Sequence, residues 1–140
     1  MNKICTSIEQ SKKLLELGVD VNTADMTYVS MKDYGENTYH LTVGKTDVNW
    51  AKDELGNLNW NDVYEKYIPA WSLAALRACL PPGINIDGIL YVFECHKTFD
   101  NMWVYEYKFE DISAPLYSKS SNEIDAAVEM IIQLKENKMI

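Results

Sequence analysis

Two stretches of the chain place apolar or aromatic side chains at every second position: Ile89, Tyr91, Phe93 and Cys95, then Trp103, Tyr105, Tyr107 and Phe109. A period of two is that of a β-strand, whose successive side chains point to opposite faces. Strands are therefore expected over 89–97 and 102–109, with both odd-numbered sets facing the core. That requirement constrains the turn between them. A two-residue Asp100-Asn101 loop would set odd positions opposite even ones, so the connection is expected to have an odd length, three or five residues. A weaker alternation over 26–32 and 38–44, separated by Asp33-Tyr34-Gly35-Glu36-Asn37, predicts a second hairpin.

Other segments carry the helical period. Ile8, Ser11, Leu14 and Leu15 share a face over 7–17, behind a Thr6-x-x-Glu9 capping box and ahead of a Gly18 stop. Leu73, Leu76 and Leu80 share one over 70–80, and Pro81-Pro82-Gly83 ends that helix. Ile124, Ala127, Val128, Ile131 and Leu134 form a stripe opposite Asp125, Glu129, Gln133 and Glu136. They predict a C-terminal amphipathic helix over 122–136, behind a Ser120-x-x-Glu123 box. Residues 45–68 are less regular and predict a loop, then a short helix near 60–66. The order is helix, hairpin, loop and helix, hairpin, helix. It implies an α+β fold, with an antiparallel sheet from two hairpins and helices packed on one face. No linker or low-complexity stretch divides the chain, so residues 1–140 read as a single domain.

Composition narrows the function. At 140 residues and 47% apolar content the chain can bury one core. Thirteen basic residues against 21 acidic ones leave a net charge of −8, and Arg77 is the one arginine. Proteins that grip phosphate backbone carry arginine-rich basic faces, so nucleic acid is not the expected partner, nor is an anionic membrane surface. An acidic surface instead steers a basic protein by long-range attraction. No apolar run approaches the length of a membrane span and none follows Lys3, so neither a span nor a signal peptide is expected. Cys5, Cys79 and Cys95 are an odd set without CxxC spacing, which fits a reducing cytoplasm rather than a disulfide framework. With only His40 and His96 beside them, neither a metal site nor a cofactor is expected.

Four segments taken together carry a resemblance. They are the opening Thr6-Ser7-Ile8-Glu9-Gln10-Ser11-Lys12-Lys13-Leu14-Leu15-Glu16-Leu17-Gly18, then Thr23-Ala24-Asp25-Met26, then Ile68-Pro69-Ala70-Trp71-Ser72-Leu73-Ala74-Ala75-Leu76, and Asp125-Ala126-Ala127-Val128-Glu129-Met130. In this order the chain resembles short uncharacterised proteins encoded by gut-bacterial prophages and other mobile elements. The resemblance implies a setting, that of a mobile-element accessory protein. It implies no activity and no catalytic residues.

Two constellations bear on function. Glu94 and His96, two apart on a strand, share its polar face with Glu106 and Lys108 of the neighbouring strand. A general base with a carboxylate partner has this arrangement, which makes a small hydrolase or nuclease the alternative reading. The solvent side of a half-covered sheet is polar in any case. Cys95 adjoins His96, but neighbours on a strand face opposite ways and cannot form a Cys–His pair. Gly44-Lys45-Thr46 lacks the first glycine of a phosphate loop. The second constellation is Trp50, Trp60 and Tyr64 among Asn and Asp. Aromatics in polar surroundings serve as anchors of protein-binding patches. The principal expectation is therefore a small acidic cytoplasmic protein-interaction module, regulatory or inhibitory, with those aromatics as its binding residues and a protein partner.

Overall fold

The structure, a computed structural model, describes residues 3–31, 34–35, 38–44 and 66–140. The elements run α1 (Ile8–Glu16), β1 (Met26–Ser30), β2 (Tyr39–Val43), β3 (Tyr67–Ala70), α2 (Leu73–Cys79), β4 (Gly83–Ile86), β5 (Ile89–Lys97), β6 (Trp103–Phe109), β7 (Ile112–Ser120) and α3 (Glu123–Glu136). The fold is α+β, and every strand pairing is antiparallel. The two expected hairpins do not share a sheet. The β1–β2 hairpin joins β3 in a three-stranded sheet, order β2-β1-β3, and β5–β6 is the centre of a four-stranded one, order β4-β5-β6-β7. The expected loop and the short helix near 60–66 lie, but for Lys66, outside the described residues.

The β5–β6 register pairs Phe93 with Tyr107 and Cys95 with Tyr105, so the odd-numbered sets share one face. The last pair is Lys97 with Trp103, which leaves five residues, 98–102, in the connection. That is the odd length the alternation demanded. Tyr105 and Tyr107 are wholly buried, and Phe93 packs against both with ring centroids 5.4 and 5.5 Å apart. β4 enters through a two-residue Asp87-Gly88 turn with φ of 53° and 83°. Positive φ at both positions is the type I′ geometry, whose twist matches that of the flanking strands.

Helix α3 covers the odd face. Ile124, Ala127, Val128, Ile131 and Leu134 are all buried, together with Ala126 and Met130. Its cap is Asn122, whose side chain accepts from the Ile124 and Asp125 N–H groups at 2.9 and 3.2 Å. Ser120 cannot take that role because it is still the last residue of β7. At α1 the capping box is Ser7 with Gln10 rather than Thr6 with Glu9. Thr6 is instead fully buried, and its Oγ1 accepts from the Trp71 N–H at 3.0 Å. α2 begins at Leu73, not at 70, because residues 67–70 pair with β1. Among the described residues no helix is long and apolar enough to cross a membrane.

Candidate functional site

The four segments that carry the resemblance meet around Trp71. Its indole N–H donates to Thr23 Oγ1 at 2.9 Å, and its carbonyl accepts from the Thr6 N–H at 2.9 Å. Thr6 Oγ1 lies 2.8 Å from Ser11 Oγ. Asp25 accepts from the Ser72 N–H at 2.8 Å and from its hydroxyl. Asp125, at the start of α3, accepts from Lys3 and Gln10, each at 2.7 Å. These polar groups satisfy one another, as buried ones must. They fasten α1, β3 and α3 together, so these motifs serve the fold.

Arg77 makes a second internal cluster. Its Nε donates to Tyr105 Oη at 3.1 Å and its Nη2 to Glu123 and, at 3.5 Å, to Cys95 Sγ. The Tyr105 hydroxyl donates to Glu123 Oε1 at 2.8 Å. Burial pushes the Tyr105 hydroxyl above the ordinary tyrosine range, with Arg77 opposing and Glu123 reinforcing. Cys95 faces the core, away from His96, as the alternation requires. Cys5 is buried 3.4 Å from Tyr28 Oη, and burial pushes its thiol up.

The even face of the four-stranded sheet has no described element over it. Across β5 and β6 it carries Leu90, Val92, Glu94, His96, Val104, Glu106 and Lys108, and Tyr117 of β7 lies opposite Glu106. Leu90, Val92 and Tyr117 are 56%, 51% and 48% exposed. Glu94 and Glu106 are directly opposite each other, whereas His96 is opposite Val104. Glu106 sits in the central strand and is only 5% exposed. Its carboxylate is engaged by Lys108 Nζ at 3.2 Å. The Glu106 hydrogen bond, then the nearby Glu94 and Asp111, raise the Lys108 ammonium above its ordinary range. His96 is exposed and has no side-chain hydrogen bond among the described residues.

The three candidate catalytic residues thus share a face, and among the described residues no hydrogen bond joins His96 to either carboxylate. Glu106 is held by a lysine, Glu94 stands in solvent beside that same lysine, and the imidazole is unoriented. A cleft of about 160 Å³ does exist, lined by Val19, Asp20, Cys79, Ile131, Lys135 and Ile140 among others, and it contains none of the three. His40 lies in the other sheet. Among the described residues no three His, Cys, Asp or Glu side chains group as a metal ion would need. The binding candidates Trp50, Trp60 and Tyr64 lie outside the described residues.

The residues that sequence reasoning passed over are Leu90, Val92 and Tyr117. Leu90 and Val92 were visible as apolar residues on the side of β5 that had been assigned to solvent. Tyr117 was not, because β7 was not foreseen. The sheet edges are less open than this face: β4 has four residues, and β7 contains Pro115, which has no N–H to offer. Compared with protein-family models, curated proteins and solved structures, the chain matches none.

Proposed function

We propose that this protein is a small protein-interaction module, a regulatory or inhibitory accessory of a mobile element working in the cytoplasm. In this reading it meets its partner through the uncovered face of the four-stranded sheet. One observation carries it. No described element packs on this side of the sheet, and Leu90, Val92 and Tyr117 stand in solvent, interleaved with Glu94, His96 and Lys108. Exposed apolar and aromatic side chains set among polar ones are the make-up of a binding patch. Trp50, Trp60 and Tyr64 join the proposal as further aromatic anchors.

The hydrolase or nuclease reading has weaker support. It needs a base held by a carboxylate beside a cavity, and among the described residues His96 is held by no carboxylate. Affinity capture from host cytoplasm with matched variants separates the two. Val92→Glu, Trp50→Ala and Trp60→Ala are expected to release the captured partner, and His96→Ala to retain it. Loss of the biological effect on His96→Ala alone, with capture intact in the other three, returns the enzyme reading to first place.

A further inference from the structure

Five exposed apolar side chains gather at one end of the four-stranded sheet, while Phe99 stands exposed in the β5–β6 turn at the other. The β4–β5 turn and the β6–β7 turn lie at that same end, because the start of β5 pairs with the end of β6. Ile89, Leu90 and Val92 flank the first turn, and Phe109 and Ile112 flank the second; all five are exposed, Ile112 the most at 59%. Leu90 and Val92 project to the uncovered face, and Phe109 and Ile112 form a pair on the other. The tip is therefore apolar on both sides. Its charges are of one sign: Asp87 in the first turn, Glu110 and Asp111 in the second, all exposed, with Glu94 next along the strand. Among the described residues the cation beside them is Lys108, which is ion-paired to Glu106. The opposite end of the sheet holds Lys97 and Lys119, with Asp100 3.8 Å from Lys119.

This polarity decides what can cover the tip. Two copies of the chain stacked tip to tip would bring apolar onto apolar but also acid onto acid. Stacked head to tail they would pair acids with lysines but offer Leu90 and Val92 one apolar side chain, Phe99, beside the polar His96 and Lys119. Neither arrangement satisfies both. An anionic membrane is repelled by the same carboxylates. We infer that the tip formed by the two turns, Asp87-Gly88 and Glu110-Asp111, docks a basic, apolar-faced protein segment. In it, Lys or Arg side chains meet Asp87, Glu110 and Asp111, while apolar residues cover Leu90, Val92 and Ile112. The inference rests on the protein-interaction reading and adds the partner's chemistry and the end of the sheet that it grips. Charge complementarity of this kind sets encounter rate and orientation, and the apolar contact sets residence.

The test uses two designed amphipathic helical peptides with the same leucine face, one with lysine and arginine on its polar side and one with glutamate. Each is titrated into the isotopically labelled full chain while amide shifts are followed. The cationic peptide is expected to shift residues 87–92 and 109–112 and to weaken as ionic strength rises. The triple variant Asp87→Asn, Glu110→Gln, Asp111→Asn is expected to lose roughly tenfold or more in affinity and most of the salt dependence. Asparagine tolerates the positive φ at 87, and an unchanged amide spectrum elsewhere shows that the variant is folded. Four results overturn the inference: equal binding of both peptides, shifts that map elsewhere, self-association through the tip, or docking of the tip on zwitterionic vesicles. Loss of partner capture on Val92→Glu with no change in the triple variant also overturns it, while leaving the interaction reading in place. Retention of capture by Val92→Glu removes both.

Discussion

The side-chain amide of Gln133 on α3 closes on the backbone of Tyr117 on β7. Its Nε2 donates to the Tyr117 carbonyl at 2.7 Å, and its Oε1 accepts from the Tyr117 N–H at 3.0 Å. The amide does for Tyr117 what one residue of a further strand would do. β7 is an edge strand, and an unpaired edge is a template for association with another chain. Gln133→Ala is expected to cost about 1–2 kcal/mol, the net value of two partly exposed hydrogen bonds. It is also expected to add concentration-dependent association, read by sedimentation velocity. Gln133→Glu keeps the acceptor, loses the donor and places a charge at the edge, so it should lower stability without promoting association. A monomeric Gln133→Ala at high concentration would leave Pro115 as the sufficient guard of this edge.

The parts of the fold that sequence made legible are those in which one local rule spoke alone. The odd-numbered aromatic set across β5 and β6 fixed both the common face and the odd loop, because a one-residue slip would have turned Tyr105 and Tyr107 to solvent. Where two rules competed, tertiary contacts decided. Thr6-x-x-Glu9 and Ser7-x-x-Gln10 both fit a capping box, and only the position of Trp71 buries Thr6 and leaves the cap to Ser7. β4 carried a usable signal, Ile84-x-Ile86 before Asp87-Gly88, but the reading of Pro81-Pro82-Gly83 as a helix stop hid it. β7 carried little. Pro115 argues against a strand, and the register shift opposite Glu106 and Lys108 breaks the alternation. The candidate site suffered accordingly: Tyr117 was invisible without β7. Nor can alternation report the burial of Glu106, since Glu94 opposite it on the other inner strand is exposed.

Helices α1 and α3 end in the same motif with different residues at its strained position. In α1, Gly18 takes φ of 84° while Val19 N–H bonds the Leu14 carbonyl at 3.0 Å. In α3, Lys138 takes φ of 56° while Met139 N–H bonds the Leu134 carbonyl at 2.8 Å. A side chain in that left-handed region costs about 1–2 kcal/mol, and glycine gives back about 0.5–1 kcal/mol through its freer unfolded chain. Lys138→Gly is therefore expected to stabilise by about 0.5–1 kcal/mol, a rise in Tm of roughly 2–4 °C by calorimetry. A fall in Tm would mean that the Lys138 side chain contributes more than its backbone costs.

Arg77 joins α2, β6 and α3 through Tyr105 and Glu123. Glu123 is largely buried, so Arg77→Ala leaves a carboxylate with only the Tyr105 hydroxyl for company. The expected loss is about 1–3 kcal/mol in urea denaturation, moderated because the guanidinium itself is partly in solvent. Arg77→Lys keeps the charge but not the planar fork that reaches two partners at once. It should fall between wild type and alanine. Identical midpoints for all three proteins would show that solvent already screens the cluster.

Tyr105 and Tyr107 are fully buried, and burial is the foremost cause that pushes both hydroxyls up, well above the ordinary value. The Tyr107 hydroxyl donates to the Pro81 carbonyl at 2.8 Å and the Tyr105 hydroxyl to Glu123, so both protonated forms are held. In the unfolded chain each tyrosine ionises near pH 10. A folded-state pKa above the unfolded one means that the unfolded chain releases protons first. Stability is then complete below about pH 10 and falls as pH rises beyond it. Each such tyrosine contributes a slope of about 1.4 kcal/mol per pH unit, and with Tyr28, which burial also pushes up, the three together about 4. Urea midpoints should be flat from neutrality to about pH 8.5, decline gently as the unfolded Cys5 thiol ionises, and drop steeply by about pH 11. In Tyr107→Phe the alkaline slope should fall by about a third, because burial raises Tyr28 as it raises Tyr105, while the loss of its hydrogen bond lowers stability at neutral pH by about 1 kcal/mol. An alkaline slope unchanged in Tyr107→Phe would show that other groups drive the transition.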